Sequence, residues 1–258
     1  MKKTQLLNFP LSLGSYSSFI EDIIASARLK QSRYTCVANV HMLIEAYRNP
    51  SFAELIQKAD RVAPDGMPLV WGLRLVYGIK QERVAGMDLL PDLLQRLEDE
   101  EISPFIYGGS PEMLQRTKDY FIQKFPSLKL AGLYSPPFRS LTPEEECAVV
   151  NMINESGAGV VFVVLGCPKQ EKWMAAMRGR VTATMIGIGG ALPVLIGIQR
   201  RAPKWMQRLG LEWFYRLMQE PKRLFKRYAL TNSAFIYLLM RECISVKIFR
   251  RTASYSES

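Results

Sequence analysis

Short β-type segments alternate with helical patterns from Tyr34 to about Gly190, and this alternation restricts the fold more than any other feature of the chain. The β-type segments are too short, and too rich in β-branched and aromatic residues, to form helices by themselves. The predicted strands are Tyr34–Ala38, Arg61–Ala63, Pro104–Tyr107, Leu128–Leu133, Val160–Leu165 and Ala183–Ile188. Strands that alternate with helices form parallel sheets. The sequence therefore predicts an α/β fold, with a Rossmann-like parallel sheet covered by helices.

Several helix starts are visible in the sequence. Ser110 and Thr142 each precede a proline at the first helical position, and Glu145 completes a capping box with Thr142. An apolar helix is predicted over Met67–Tyr77. Each of these helices follows a predicted strand or loop, as the α/β pattern requires.

Positive charge is concentrated at the carboxyl end of the chain. The 258 residues carry a net charge of +10, and residues 200–258 account for +9 of it. The sequence therefore predicts an α/β domain over residues 1–199 and a basic helical appendage over residues 200–258, which we call the C-terminal appendage. Apolar residues between Trp205 and Met218 recur at three- and four-residue steps, which predicts one amphipathic helix face. Such a face with nearby cations is typical of segments that associate with anionic membrane surfaces, although ordinary packing on the domain explains it as well.

No segment reaches the roughly 18 apolar residues that a membrane span needs. The closest, Tyr228 to Met240, is shorter and contains polar residues. The four cysteines form no C-x-x-C pair, and the amino terminus has no long apolar stretch. These features predict a cytoplasmic protein, with peripheral contact to a membrane surface left open.

Absent motifs narrow the chemistry. The chain has one histidine, His41, and no G-x-S-x-G motif, which disfavours a Ser-His-Asp site and a histidine-rich metal site. It also has no D-x-D triplet, the carboxylate pair with which many sugar-nucleotide enzymes hold a divalent metal. We therefore expect neither a metal nor a cofactor, and we expect phosphate charge to be neutralised by Arg, Lys and backbone amides.

Distinctive residues follow the predicted strands directly. In parallel α/β sheets, ligands bind at the carboxyl ends of the strands, where loops and helix N-termini converge. The residues at these ends are Asn39, Asp65-Gly66, Gly108-Gly109, Gly166 to Gln170, and Gly187 to Gly190, which includes Gly189. We expect these loops to line one crevice.

Asp65, Arg83 and the Lys169-Gln170 pair each have a structural and a functional interpretation. Asp65 is a turn residue or a helix N-cap, or a general base at a strand end. Arg83 is a surface arginine, or a cation placed near a helix start to bind a diphosphate. Lys169 and Gln170 open a helix after a buried strand, either as a plain turn or as part of a phosphate site.

An ordered set of segments resembles the WecG/TagA/CpsF family, glycosyltransferase family 26. The segments span about 190 residues and are Ala38–His41, Ala63–Trp71, Glu82–Asp88, Leu165–Glu171, Arg201–Pro203, Leu211–Arg216 and Glu220–Arg223. Single segments of this kind arise by chance, but the ordered set is specific.

The resemblance implies an inverting, metal-independent transfer from a UDP-sugar to a polyprenyl-diphosphate-linked sugar, of the N-acetylmannosaminyltransferase type, in polysaccharide, teichoic acid or enterobacterial antigen synthesis. It implies Asp65 as the base, with Arg83 at the diphosphate. By the same resemblance Asn39 and Gln170 contact the sugar nucleotide, and we place Gly66, Gly166, Lys169 and Gly189 with them. The resemblance further implies an appendage that docks on the inner face of the plasma membrane and supplies Arg216, Arg223 and Arg227 to the site.

The sequence departs from the family pattern at two places. Val37 stands where many members have a threonine, and Ala191-Leu192-Pro193 follows the last strand where many have an acid. The donor sugar, the acceptor glycan and a homo-oligomeric state are left open. Three alternatives are another nucleotide-dependent transferase on this fold, a nucleic-acid-binding protein that uses the basic, aromatic-rich end, and a non-catalytic membrane-bound scaffold that kept the fold. The second does not explain the strand-end residues, so we expect no nucleic acid as a partner.

Overall fold

The computed structural model describes the backbone of residues 1–255 and the side chains of residues 1–246. The basic residues Lys247, Arg250 and Arg251 of the C-terminal appendage, and Glu257, lie outside the side chains described. The strands are β1 Lys2–Leu6, β2 Phe9–Leu13, β3 Tyr34–Ala38, β4 Arg61–Pro64, β5 Pro104–Gly108, β6 Gly132–Tyr134, β7 Val160–Val164 and β8 Thr184–Gly187. The helices are α1 Tyr16–Arg28, α2 Val40–Arg48, α3 Pro50–Lys58, α4 Met67–Tyr77, α5 Gly86–Asp99, α6 Pro111–Lys124, α7 Pro143–Glu155, α8 Lys169–Met177, α9 Ala191–Leu195, α10 Lys204–Arg208, α11 Glu212–Gln219 and α12 Pro221–Tyr255.

Six strands form one parallel sheet in the order β4-β3-β8-β7-β5-β6. Helices pack on both faces. One apolar core lies between the sheet and α2, α3, α4, α7, α8 and α12, and the other lies between the sheet and α1, α5, α6 and α9. The predicted α/β fold, a Rossmann-like parallel sheet covered by helices, is confirmed.

The predicted strand positions agree with the structure to within one residue, except for β6. The prediction of a strand over Leu128–Leu133 is wrong, because only Gly132–Tyr134 is extended in the sheet. β6 pairs with β5 alone, and β5 begins at Pro104, so earlier residues have no ladder partner. Leu128 instead donates its amide to Phe125 in a turn that ends α6.

The predicted helix starts are confirmed. Ser110 and Thr142 cap α6 and α7, and Thr142 and Glu145 form the reciprocal capping box. Helix α4 occupies the predicted Met67–Tyr77.

A β-hairpin precedes the sheet, where the sequence pattern predicts no strand. β1 and β2 are antiparallel and are joined by Leu7 and Asn8, both with positive φ. Such a two-residue turn normally carries glycine or asparagine at these positions, so a leucine conceals it. The hydroxyl of Ser12 accepts the amide hydrogen of Val62, which fastens the hairpin to β4 at the edge of the sheet. The hairpin thereby covers an edge strand that would otherwise be open.

The C-terminal appendage is not one amphipathic helix from Trp205 to Met218. That prediction is wrong, because the chain turns between α10 and α11 at Gly210, which has a φ of 70°. A side chain at Gly210 would collide with the ring of Trp71 on α4, so glycine lets the turn sit directly on the α/β domain.

Helix α12 packs on the α/β domain through α2 and α4. Phe235 and Leu238 are buried in the first core, and the hydroxyl of Tyr77 donates to Glu242. Among the residues described, no helix is long and apolar enough to span a bilayer.

Candidate active site

The candidate site lies where four neighbouring strands end. β4, β3, β8 and β7 are adjacent in the sheet, and Asp65, Asn39, Gly189 and Gly166 lie within two residues of their carboxyl ends. Backbone hydrogen bonds join these ends in pairs. The amide of Asp65 donates to Ala38 at 2.8 Å, and the amide of Gly189 donates to the carbonyl oxygen at the end of β7 at 3.3 Å. The sheet therefore brings four of the predicted site loops together.

Asp65 does not cap the helix that follows it. Gly66 is the N-cap of α4 and offers no side-chain hydrogen bond, so the N-cap interpretation of Asp65 is wrong for that helix. Instead, Oδ1 of Asp65 accepts the amide hydrogen of Gly86, the first residue of α5, at 3.0 Å. The carboxylate thus lies at the positive end of a second helix, which favours its charged form.

The environment of Asp65 nevertheless raises its pKa. Burial is the largest cause and raises the pKa to about 6, with a smaller contribution in the same direction from Glu212. The Gly86 amide and the guanidinium groups of Arg83 and Arg216 oppose this shift. A carboxyl group with a pKa near 6 is ionised at neutral pH and is a better proton acceptor than an ordinary aspartate.

Asn39 is held beside Asp65 by its role as a helix cap. It is the N-cap of α2, and its Oδ1 accepts the amide hydrogen of Met42 at 3.2 Å. Gly66 lies against it, since a Cβ at Gly66 would be 3.5 Å from the Asn39 Cα. Val37 packs on Gly86, where a Cβ would be 3.3 Å from the valine methyl. The hydrocarbon side chain of Val37 thus occupies a buried position under the start of α5.

Gln170 fastens the loop after β7 to the end of β8. Its Oε1 accepts the amide hydrogen of Gly166, whose φ is 75°, and its Nε2 donates to Glu171 at 2.7 Å. A side chain at Gly187 would collide with the Gln170 amide group, and one at Gly189 would crowd it. The glycines therefore make room for Gln170 at the floor of the crevice.

Helix α8 has fewer free amides than the sequence suggests. The amide of Gln170 already donates to the carbonyl oxygen of Gly166, so it is not available to a phosphate. Lys169, the first residue of α8, is exposed to solvent at this helix start.

Arg83 lies near Asp65 in a cluster of four charged side chains. Its Nη1 is 2.5 Å from Glu212 and its Nη2 is 3.5 Å from Asp88. Arg201 completes the cluster, at 2.6 Å from Asp88 and 3.6 Å from Glu212. Arg83 and Asp88 belong to the α/β domain, whereas Arg201 and Glu212 belong to the C-terminal appendage. The cluster therefore joins the two parts of the chain at the edge of the crevice.

The three appendage arginines predicted for the site lie at different distances from it. Arg216 on α11 reaches the end of β8, where a side chain at Gly190 would collide with its guanidinium group. Within the described part of the chain, Arg216 has no carboxylate partner. Its charge, with those of Arg223 and Arg227, opposes the rise that burial causes in the pKa of Tyr228.

Arg227 and Arg223 lie further along α12. Arg227 is close enough to His41 to reinforce the fall that burial causes in the histidine pKa, which places it beside the start of α2. Arg223 is exposed and pairs with Glu220. Arg216 thus lies at the end of β8, near enough to Asp65 to lower its pKa, Arg227 lies near His41 at the start of α2, and Arg223 lies on the surface.

The sequence pattern gives no role to several polar groups that the structure places here. Glu171 is fully buried, holds Gln170 and has a pKa raised by burial. Glu212, Arg201 and Asp88 surround Arg83. Glu212 and Arg201 lie inside segments of the family resemblance, but only the folded chain shows what they contact. Among the described side chains, no group of three or more His, Cys, Asp or Glu residues is placed to hold a metal ion.

A parallel sheet with a carboxylate, an asparagine and glycine-rich loops at adjacent strand ends has the arrangement of α/β proteins that bind a ligand at the carboxyl ends of their strands. The family model described as "Glycosyl transferase WecG/TagA/CpsF family" matches residues 4–248, which is nearly the whole chain. The chain belongs to this family. It is accordingly a glycosyltransferase of cell-surface polysaccharide biosynthesis, which uses a nucleotide-sugar donor and an acceptor.

Proposed function

We propose that the enzyme transfers a hexosyl group from a UDP-sugar to a polyprenyl-diphosphate-linked acceptor, with inversion at the anomeric carbon and without a metal ion. The single observation that carries the proposal is Asp65, a carboxylate at a strand end with a pKa near 6 and with two guanidinium groups close by. N-acetylmannosamine is the first donor sugar to test, because it is the type that the family resemblance implies. Family membership favours this activity over nucleic-acid binding.

The mechanism is a single displacement. The acceptor hydroxyl oxygen forms a bond to the anomeric carbon while the bond from that carbon to the β-phosphate oxygen breaks, and UDP leaves with the electron pair. The hydroxyl proton moves to Asp65, since an alcohol is a poor nucleophile until a base takes its proton. Attack from the side opposite UDP inverts the anomeric configuration.

The leaving group needs positive charge. As the sugar–phosphate bond breaks, negative charge accumulates on UDP, and oriented cations lower the barrier because they need no rearrangement. Arg216 at Gly190 and Arg83 beside Asp65 are the cations nearest the crevice, and Arg227 lies at its rim. The family resemblance assigns contacts with the sugar nucleotide to Asn39 and Gln170, after β3 and β7, and we place Gly66, Gly166, Gly189 and Lys169 with them in the proposed donor site.

The test is UDP release by purified protein incubated with a panel of UDP-sugars and short-chain polyprenyl-diphosphate acceptors, UDP-N-acetylmannosamine among them. One donor should give acceptor-dependent UDP release, and NMR of the product should show an inverted anomeric centre. Asp65→Asn should keep the fold and lose activity by about 10²- to 10⁴-fold, the usual contribution of a general base. Turnover near that of the unchanged enzyme in Asp65→Asn would remove Asp65 from the mechanism.

We further propose that residues 200–258 are a membrane-associating appendage on residues 1–199, and that the enzyme works at the inner face of the plasma membrane. The exposed apolar side chains of this segment support the proposal, since Trp205, Leu209, Phe214, Met218 and Phe225 are each more than a third exposed. Exposed lysines lie beside them on α12. Each cation near an anionic leaflet adds roughly 1 kcal/mol to binding.

Vesicle flotation tests the membrane proposal with the full chain. Lys222→Glu/Lys226→Glu reverses two exposed charges on α12, and Lys118→Glu/Lys124→Glu makes the same change on α6, away from the appendage. The α12 variant should bind anionic vesicles at least tenfold more weakly, whereas the α6 variant should bind as the unchanged protein does. Equal binding by both variants would contradict the membrane proposal.

A further inference from the structure

The four-charge cluster at the domain boundary contains Glu212, a carboxylate that belongs to the appendage and pairs with Arg83 of the α/β domain. Glu212 and Arg83 are each less than a fifth exposed, and their side chains meet at 2.5 Å. Glu212 also lies near enough to Asp65 to raise the pKa of that carboxyl group. A carboxylate in this position affects the site in two ways, through the arginine that it holds and through its own charge.

Glu212 also determines where Arg216 lies. The two residues are four apart on α11, so they project from the same face of the helix. Glu212 is bound to Arg83 in the α/β domain, and Arg216 lies on Gly190 at the end of β8. Fixing the first turn of α11 at Arg83 therefore directs the second turn toward the crevice.

A second ion pair reinforces this contact. Arg201, at the start of the appendage, binds Asp88 on α5 at 2.6 Å and lies 3.6 Å from Glu212. Partly buried charges of both signs in one cluster are mutually dependent, because removal of one leaves its partners without compensation. Asp88 and Glu212 each contact both arginines, and Glu212 is the one of the two that belongs to the appendage.

We infer that Glu212 is a positioning residue for glycosyl transfer, which holds Arg83 and Arg216 near Asp65 and joins the appendage to the active site. The inference rests on the proposed role of Asp65. It adds a residue that touches neither donor nor acceptor and acts through the two arginines.

The first experiment needs no substrate. The chain is labelled with ¹³C at the aspartate carboxyl carbons, and the Asp65 signal, assigned by its absence in Asp65→Asn, is titrated with pH. The charged groups that act on Asp65 are Arg83, Arg216 and Glu212, with the Gly86 amide as a hydrogen-bond donor. Glu212→Gln removes the one acid among them, and its amide oxygen still accepts a hydrogen bond from Arg83, so the arginines stay near Asp65 although they are held less firmly. The Asp65 midpoint in this variant should therefore fall by roughly 0.5 pH unit.

Glu100→Gln is the matched control. Glu100 is also mostly buried and also binds two arginines, Arg28 and Arg96, but it lies at the far end of α5 from Asp65. Its variant should leave the Asp65 midpoint unchanged. An unchanged midpoint in Glu212→Gln, or an equal shift in Glu100→Gln, would overturn the inference.

The second experiment uses the UDP-release assay. In Glu212→Gln, kcat/KM should fall about tenfold at neutral pH, and the acidic limb of its pH profile should move to lower pH, which a purely structural role would not cause. Glu212→Asp serves as a second variant, because it keeps the charge but is one methylene shorter. It should keep the Asp65 midpoint and still lose activity about tenfold, and full activity in Glu212→Asp would refute the positioning role. Absence of UDP release from the unchanged enzyme would count against the proposed function alone, since the titration is read without substrate.

Discussion

The burial that makes Asp65 a good base should also lower the free energy of unfolding when Asp65 is ionised. A carboxyl group whose pKa rises from 3.8 in the unfolded chain to about 6 in the folded one binds protons more tightly when folded. The folded state therefore loses stability as the pH rises through this interval. Asp65→Asn is uncharged and nearly the same shape, and its side-chain oxygen still accepts the amide hydrogen of Gly86. We expect this variant to be more stable than the unchanged protein at high pH.

The magnitude follows from the two pKa values. A shift of about 2 units corresponds to about 3 kcal/mol once both states are ionised, as they are at pH 8. At pH 4 the folded carboxyl is protonated and the unfolded one is only partly ionised, which leaves about 0.5 kcal/mol. Asp65→Asn should therefore gain about 2 to 3 kcal/mol at pH 8 and little at pH 4.

Urea denaturation at the two pH values measures this difference directly. Thermal melts give the same comparison, at about 2 to 4 °C per kcal/mol for a chain of this size. Asp119→Asn, which changes an exposed aspartate on α6, should show no difference between pH 4 and pH 8. Equal stabilisation of Asp65→Asn at both pH values, or destabilisation at pH 8, would refute the assignment of a partly buried carboxylate with a raised pKa at this position.

Three further outcomes are expected. The base must be ionised and its pKa is about 6, so kcat/KM should fall about tenfold per pH unit below that value and level off above it. A profile that is flat down to pH 4.5 would exclude Asp65 as the titrating group. Because the sequence has no D-x-D triplet, UDP release should continue in EDTA, and a strict requirement for added magnesium or manganese would contradict charge stabilisation by arginine alone. Gly190→Ala should displace Arg216 and reduce kcat about tenfold; in an Arg216→Ala background the same change should have little effect, and independent losses would show that the two residues act separately.

Most of the sheet was predictable because each strand is a short apolar segment that can be recognised from its own residues. β7 consists entirely of β-branched and aromatic residues, and such a buried run is identifiable without knowing its neighbours. The bounds of β6 were not predictable, because they depend on where β6 can pair with β5. The β1–β2 hairpin was hidden for a different reason: its turn places Leu7 at positive φ, a conformation that leucine seldom adopts and that the docking of the hairpin on β4 compensates.

Some site residues were likewise predictable from the local sequence, whereas others depend on contacts between distant parts of the chain. Asp65, Asn39 and Gly166 follow strands directly, so the rule that ligands bind at the carboxyl ends of parallel strands is enough to select them. The closer partner of Arg83 lies in a different part of the chain, since Glu212 is 129 residues away and is brought there by the turn at Gly210. No periodicity records such a contact.

The long-range contacts also bear on why the basic appendage stays with a nearly neutral domain. Its attachment uses apolar side chains such as Phe235 and Leu238, and Glu212 is the carboxylate that links it to Arg83. Glu212 therefore holds the appendage in place while leaving Arg216 without a carboxylate partner in the described part of the chain. An unpaired guanidinium beside Gly190 is available to an incoming diphosphate, whereas Arg83 must exchange Glu212 for that ligand or share it. We thus expect donor binding to depend more on Arg216 than on Arg83, so Arg216→Ala should raise the donor KM by a larger factor than Arg83→Ala in the UDP-release assay. A larger rise in Arg83→Ala would show instead that the Glu212 pair opens before the donor binds.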